Sequence, residues 1–191
     1  MVRSFTLDTN CIIAVDEQRA EANAIRTLAH AHASGTARVA IVAISASERQ
    51  RNSRRIKNFT EFQTRITSLG LGHLEILLPM GYWDITFWDQ MLWVGDEMEQ
   101  LEKRIHDVLF PEIEFSFLEF CQARGMDKDQ IGSAVWRNAK CDVQALWSHI
   151  HHCREFFVTS DRNFHTAMKK PSLIALGANE IVYPAEAASL I

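Results

Sequence analysis

Residues 4–10, SFTLDTN, decide how this chain is organised. Apolar Phe5 and Leu7 alternate with Ser4 and Thr6, and then Asp8, Thr9 and Asn10 stop the pattern before the apolar run 11–15. In an open α/β sheet the ligand crevice forms beyond the carboxyl ends of the strands, so a strand that ends in an acid puts that acid where ligands bind. Residues 156–164, FFVTSDRNF, use the same grammar: an apolar strand, a Thr/Ser step, then Asp161. Between the two, residues 39–44 (VAIVAI) form a continuous apolar run with four β-branched residues, the composition of a strand covered on both faces. That run leads into Ser45-Ala46-Ser47-Glu48, which also spells a helix capping box. Asp142, in Lys140-Cys141-Asp142-Val143, opens a helical pattern that leads into the Asp161 strand.

Four acids in this order, on these elements, resemble the PIN-domain nucleases, in particular the VapC-like toxins of toxin–antitoxin pairs. The matching residues are Asp8-Thr9-Asn10, Ser45-x-x-Glu48, Asp142, and Thr159-Ser160-Asp161-Arg162-Asn163-Phe164. The likeness covers roughly residues 1–78 and 136–184. It implies an α/β, PIN-like three-layer sandwich with a central, mainly parallel sheet and helices on both faces. The alternation of strands and helices predicts the same layering independently. The resemblance also implies an endoribonuclease using Mg²⁺ or Mn²⁺. Clustered carboxylates repel one another unless a cation balances them, and all-oxygen ligation suits these two ions.

On this reading Asp8 and Asp161 bind the main metal, while Asp142 and Glu48 bind it through water or hold a second ion. A water then attacks an RNA phosphodiester in line, leaving a 5′-phosphate and a 3′-hydroxyl. Thr9, Asn10, Ser160 and Asn163 would orient the carboxylates, although Asn163 also suits a helix cap. The expected partners are the RNA substrate, a cognate antitoxin protein and a second copy in a homodimer.

Composition sets the bounds. The chain has 191 residues, 47% hydrophobic and 23% charged, which is ordinary for a globular protein and fits a single PIN-like domain with an insertion. Its four cysteines are widely spaced with no C-x-x-C pair, no apolar secretory core opens the sequence, and no apolar run could span a bilayer. A cytoplasmic protein with no membrane partner is expected. The net charge of −4 is unevenly spread: residues 80–135 carry twelve acids and four bases, whereas the remainder carries twelve acids and sixteen bases. The nuclease-like part is therefore the basic part. Arg49, Arg51, Arg54 and Arg55, beside Glu48, are candidates for guiding a phosphate backbone.

Along the chain, the spacing predicts helices over 17–33 and 45–69, a short edge strand over 74–78, and helices over 83–109 and 112–124. A further helix covers 127–152 with a break near 138–142, and a last strand covers 180–183. Trp83, Trp88 and Trp93 in the acidic insertion suit either its own small core or a partner surface. His149 and Cys153, one helical turn apart, invite a zinc reading, but no second ligand pair stands at conventional spacing. Neither a G-x-x-x-x-G-K-[ST] loop nor a G-x-G-x-x-G turn occurs. Two non-catalytic alternatives stand beside the nuclease: an RNA-binding PIN-like module, and a protein-docking module acting through the insertion.

Overall fold

The structure, a computed structural model, describes residues 2–46, 59–81, 91–92, 95–126 and 134–191. Among the described residues, five parallel strands build one sheet: β1 Arg3–Leu7, β2 Ala37–Val42, β3 Glu75–Leu77, β4 Phe156–Val158 and β5 Glu180–Val182. Their order is β3-β2-β1-β4-β5. The opening strand is thus central, with Phe5 opposite Val39 on one side and Phe156 on the other. The described helices are α1 Thr9–Asp16, α2 Ala22–Ala33, α3 Phe59–Ser68, α4 Asp96–Leu109, α5 Phe117–Arg124, α6 Ala134–His151, α7 Arg162–His165, α8 Lys169–Leu173 and α9 Pro184–Ser189.

Side chains alternate across each strand, and the alternation sorts the interior into two cores. Phe5, Leu7, Val39, Ile41 and Val158 face one side, where α1, α2, α3 and α9 cover them with Ile12, Ile25, Leu28, Phe62 and Ala187. Val42, Phe157 and Ile181 face the other, against Ile105 and Leu109 of α4, Phe120 of α5 and Leu146 and Trp147 of α6. The architecture is a parallel sheet between two helical layers. Residues of the predicted insertion share the second core with α6 and β4, so α4 and α5 are built into the body of the fold.

Because the central strand is covered on both faces, its polar residues need internal partners. Thr6 is fully buried, and its Oγ1 lies 3.0 Å from Nδ1 of His149 on α6. The other ring nitrogen, Nε2, lies 3.0 Å from the carbonyl of Ala178. A carbonyl only accepts, so Nε2 carries the proton and Nδ1 accepts from the Thr6 hydroxyl. Burial pushes the His149 pKa down to about 4, which keeps the ring neutral. Both nitrogens are committed and Cys153 is exposed, so this pair is no zinc site.

Several predicted helices differ in extent. The 17–33 helix begins only at Ala22, because Glu17 caps α1 and Gln18 takes a positive φ of 54°. The 83–109 helix is not continuous: Met80 and Leu92 form an isolated parallel bridge, and helix α4 starts after Gly95. Glycine is a weak helix former, while Asp96, Glu97 and Glu99 suit the positive end of the helix dipole. The 112–124 helix contracts to α5, which starts at the capping box Ser116/Glu119 and ends on Gly125 at φ 60°, a conformation that favours glycine. No break interrupts α6 at 138–142; Asn138 simply takes its exposed face. Of the 45–69 helix, a 3₁₀ turn Ala43–Ala46 and α3 are described, and residues 47–58 lie outside the described residues. Trp83, Trp88 and Trp93 lie outside them too.

Candidate functional site

All five strands are parallel, so their carboxyl ends share one edge. From β1 the chain turns into α1, whose Cys11 and Ile12 enter the first core; from β4 it turns into α7, whose Phe164 enters the second. The two connections leave adjacent strands for opposite faces. This is the topological switch point of an open α/β sheet. Asp8 ends β1 there and Asp161 follows β4.

Asp8 is only 2% exposed. Its Oδ1 accepts from the Thr9 amide at 2.7 Å, and its Oδ2 accepts from Asn10 Nδ2 at 2.6 Å and Thr159 Oγ1 at 2.7 Å. The directions are fixed by the neighbours. Thr159 Oγ1 already accepts from Asn10 Nδ2 at 2.8 Å and from the Asp161 amide at 3.0 Å, so its own proton points to Asp8. The network is built to receive a carboxylate. Burial nonetheless raises the Asp8 pKa to about 6; the hydrogen bonds from Thr159, Thr9 and Asn10 hold it down, and the nearby charge of Asp161 adds to the rise.

Asn10 ties the two strand ends together. Its Nδ2 serves Asp8 and Thr159, while its Oδ1 accepts from the Ser160 amide at 3.0 Å. Thr9 turns its hydroxyl to Ser45 Oγ at 2.7 Å, which links β1 to the end of β2. Asp161 caps α7, accepting from the Asn163 amide at 2.9 Å. Asn163 itself turns away: its Oδ1 accepts from Lys169 Nζ at 2.5 Å, and its Nδ2 donates to the Leu109 carbonyl at 3.3 Å. Its side chain fastens α7 to the end of α4, while its backbone amide holds the Asp161 carboxylate. Ser160 Oγ is a buried polar atom with no hydrogen-bond partner among the described residues.

Capping alone accounts for a polar residue at positions 8 and 161, since both acids cap helices. It does not account for charge, because Ser, Thr or Asn cap as well without burying an ion. A raised pKa on a buried acid is a marker of a functional site.

Asp142 occupies the middle of α6 and is partly buried. It stands seven residues before His149, nearly two full turns, and so shares the helix face that His149 turns to β1. α6 leads back to the start of β4, which places Asp142 about 10 Å further toward the carboxyl edge than His149. Among the described residues, however, no three His, Cys, Asp or Glu side chains come together at one point. Asp8 and Asp161 are brought together; Asp142 does not complete a triad with them. Glu48 and the basic run Arg49, Arg51, Arg54 and Arg55 lie outside the described residues.

Asp8 and Asp161 are the described acids of this site that could contact a cation. Asp8 Oδ1 receives one hydrogen bond and Asp161 Oδ1 another, leaving each carboxylate capacity for a further partner. Mg²⁺ commonly takes only one or two protein carboxylates and keeps several waters. A cation here would also offset the charge that burial penalises at Asp8.

The site residue that sequence reasoning missed is Thr159. It lies within the motif matched in sequence, but only the geometry shows that its hydroxyl joins Asp8, Asn10 and the Asp161 amide. Ser45 is the other, reached through Thr9. No family model matches the chain, and comparison with the curated proteins and with the solved structures gives no match. Among the described residues no helix is long and apolar enough to cross a membrane. Fold and site together define an α/β protein with two neighbouring acids at the switch point of a parallel sheet.

Proposed function

We propose that the protein is a metal-dependent endoribonuclease with a PIN-like fold, in which Asp8 and Asp161 hold Mg²⁺ or Mn²⁺. The observation that carries this reading is the buried Asp8, kept as a carboxylate by three convergent donors although burial raises its pKa to about 6. When bound, the ion supplies positive charge against the phosphate and the means to activate a water.

The chain supplies the rest. Asn10 and Thr159 fix the orientation of the Asp8 carboxylate, and Asn10 holds the Ser160 amide so that Asp161 stays beside it. The buried Cys11 thiol donates to the Val158 carbonyl at 3.3 Å, tying α1 to the end of β4. RNA as substrate, and a role as the toxin neutralised by an antitoxin, follow from the sequence resemblance.

Cleavage of RNA by the recombinant protein with Mn²⁺ tests the proposal. Wild type is expected to cleave, Asp8→Asn to lose about 100-fold or more, and Asn10→Ala to lose about 10- to 100-fold. Circular dichroism should show the variants folded. Equal cleavage by wild type and a folded Asp8→Asn rules the reading out.

A further inference from the structure

One strand beyond the paired acids, an aromatic pair stands at the same edge of the sheet. Tyr183 directly follows β5, where Val182 pairs with Val158 and the Thr159 amide donates to the Val182 carbonyl at 3.1 Å. Tyr183 is therefore the β5 counterpart of Thr159. Its ring stacks on His165 of α7, with centroids 3.7 Å apart and planes within 10°. His165 is anchored to the site, since its Nε2 donates to the Thr159 carbonyl at 2.9 Å. Thr159 thus serves Asp8 with its hydroxyl and the aromatic pair with its backbone.

Tyr183 also caps α9, its amide donating to Glu186 Oε2 at 2.9 Å. Neither ring belongs to either hydrophobic core, and Tyr183 is 38% exposed. Neighbouring strands lie about 5 Å apart, so the pair sits about 10 Å from the strand that carries Asp8. Arg162, exposed at the start of α7, adds positive charge beside Asp161. A chain crossing the carboxyl edge from β1 to β5 would carry its phosphate past the acids and its next base onto the aromatic pair.

We propose that Tyr183, backed by His165, is a stacking subsite for an unpaired base of single-stranded RNA, next to the scissile phosphate. This rests on the nuclease reading and adds its substrate class: a strand with splayed bases, since a base inside a duplex presents no free face. Stacking tolerates any base, so the subsite selects for strandedness ahead of sequence.

The test measures binding of a short single-stranded RNA, and of the same RNA with one abasic site moved along it, with Ca²⁺ in place of Mg²⁺ to slow cleavage. Tyr183→Ala should weaken binding about 5- to 100-fold, and Tyr183→Phe should retain it. In the wild type, an abasic site at one position should weaken binding to the same degree, and that loss should vanish in Tyr183→Ala. A structural role for the ring would not produce this cancellation. The wild-type abasic series needs no variant, so a misfolded Tyr183→Ala does not protect the proposal. RNA binding by the wild type that no abasic position weakens overturns the subsite alone. A wild type that binds no RNA overturns both the subsite and the nuclease reading.

Discussion

Asp8 is the costliest residue of the candidate site. Its folded pKa of about 6 lies above the 3.8 of an unperturbed Asp, so the folded chain holds the proton more tightly than the unfolded one. Between those two values the folded state binds more protons, and stability from this group falls as pH rises. By pH 7 the charged Asp8 costs the fold about 3 kcal/mol relative to acid conditions. Thr159 limits that cost. Thr159→Val removes a donor to Asp8 and strands the Asn10 and Asp161 groups it accepts from. It is expected to raise the Asp8 pKa further and to destabilise by about 1–3 kcal/mol. Carboxyl-carbon NMR titration of the metal-free protein reads the first effect and urea unfolding the second; an unchanged Asp8 titration would show that the hydroxyl does not hold the carboxylate. Asp8 and Asp161 were legible in the sequence because each ends an apolar strand. Thr159 was not singled out, because a Thr inside a strand–turn step reads as ordinary β propensity until its three partners are seen.

At the scale of elements, the junction between α4 and α6 is held by buried charge. Lys140 Nζ and Glu102 Oε1 lie 2.9 Å apart, both side chains fully buried, and Gln144 Nε2 donates to the same oxygen at 2.9 Å. Gln144 Oε1 in turn accepts from the Met80 amide at 3.1 Å, tying the chain after β3 to this junction. Lys140 also lies over the Phe115 ring, 3.9 Å from its centroid. Lys140→Met alone leaves Glu102 as an uncompensated buried charge and is expected to cost about 3–5 kcal/mol. The double variant Lys140→Met, Glu102→Leu should recover most of that loss in chemical unfolding. A double variant as unstable as the single one would mean that the pair is not coupled. This junction explains why an acidic insertion reads poorly from sequence: the stripe of α4 is visible at 98, 101, 105 and 108, but a Glu turned inward toward a Lys 38 residues away has no local signature. Helix ends were legible where a cap was spelled out, as at Ser116, Glu119 and Gly125, and illegible where periodicity ran on through residues that pair as a bridge.

For the whole molecule, the decisive property is the strand order. Placing β1 between β2 and β4 sends the chain to opposite layers after β1 and β4, and the two acids meet at those neighbouring strand ends. Alternating strands and helices in the sequence point to a parallel sheet, and the apolar run 39–44 points to a strand buried on both faces. The order of the strands is not local information; it is set by which faces the two cores bury. The same holds for Asp142, which the sequence groups with Asp8 and Asp161, while the long helix α6 fixes its distance from them.

The central claim is that Asp8 and Asp161 share one divalent ion, and titration of the protein with Mn²⁺ by calorimetry tests it most directly. The account predicts binding at pH 7 that weakens as pH falls below about 6, where Asp8 takes up its proton, and that is lost in a folded Asp161→Asn variant. Mn²⁺ affinity that is the same in wild type and Asp161→Asn, or that does not change between pH 7 and pH 5, would contradict it.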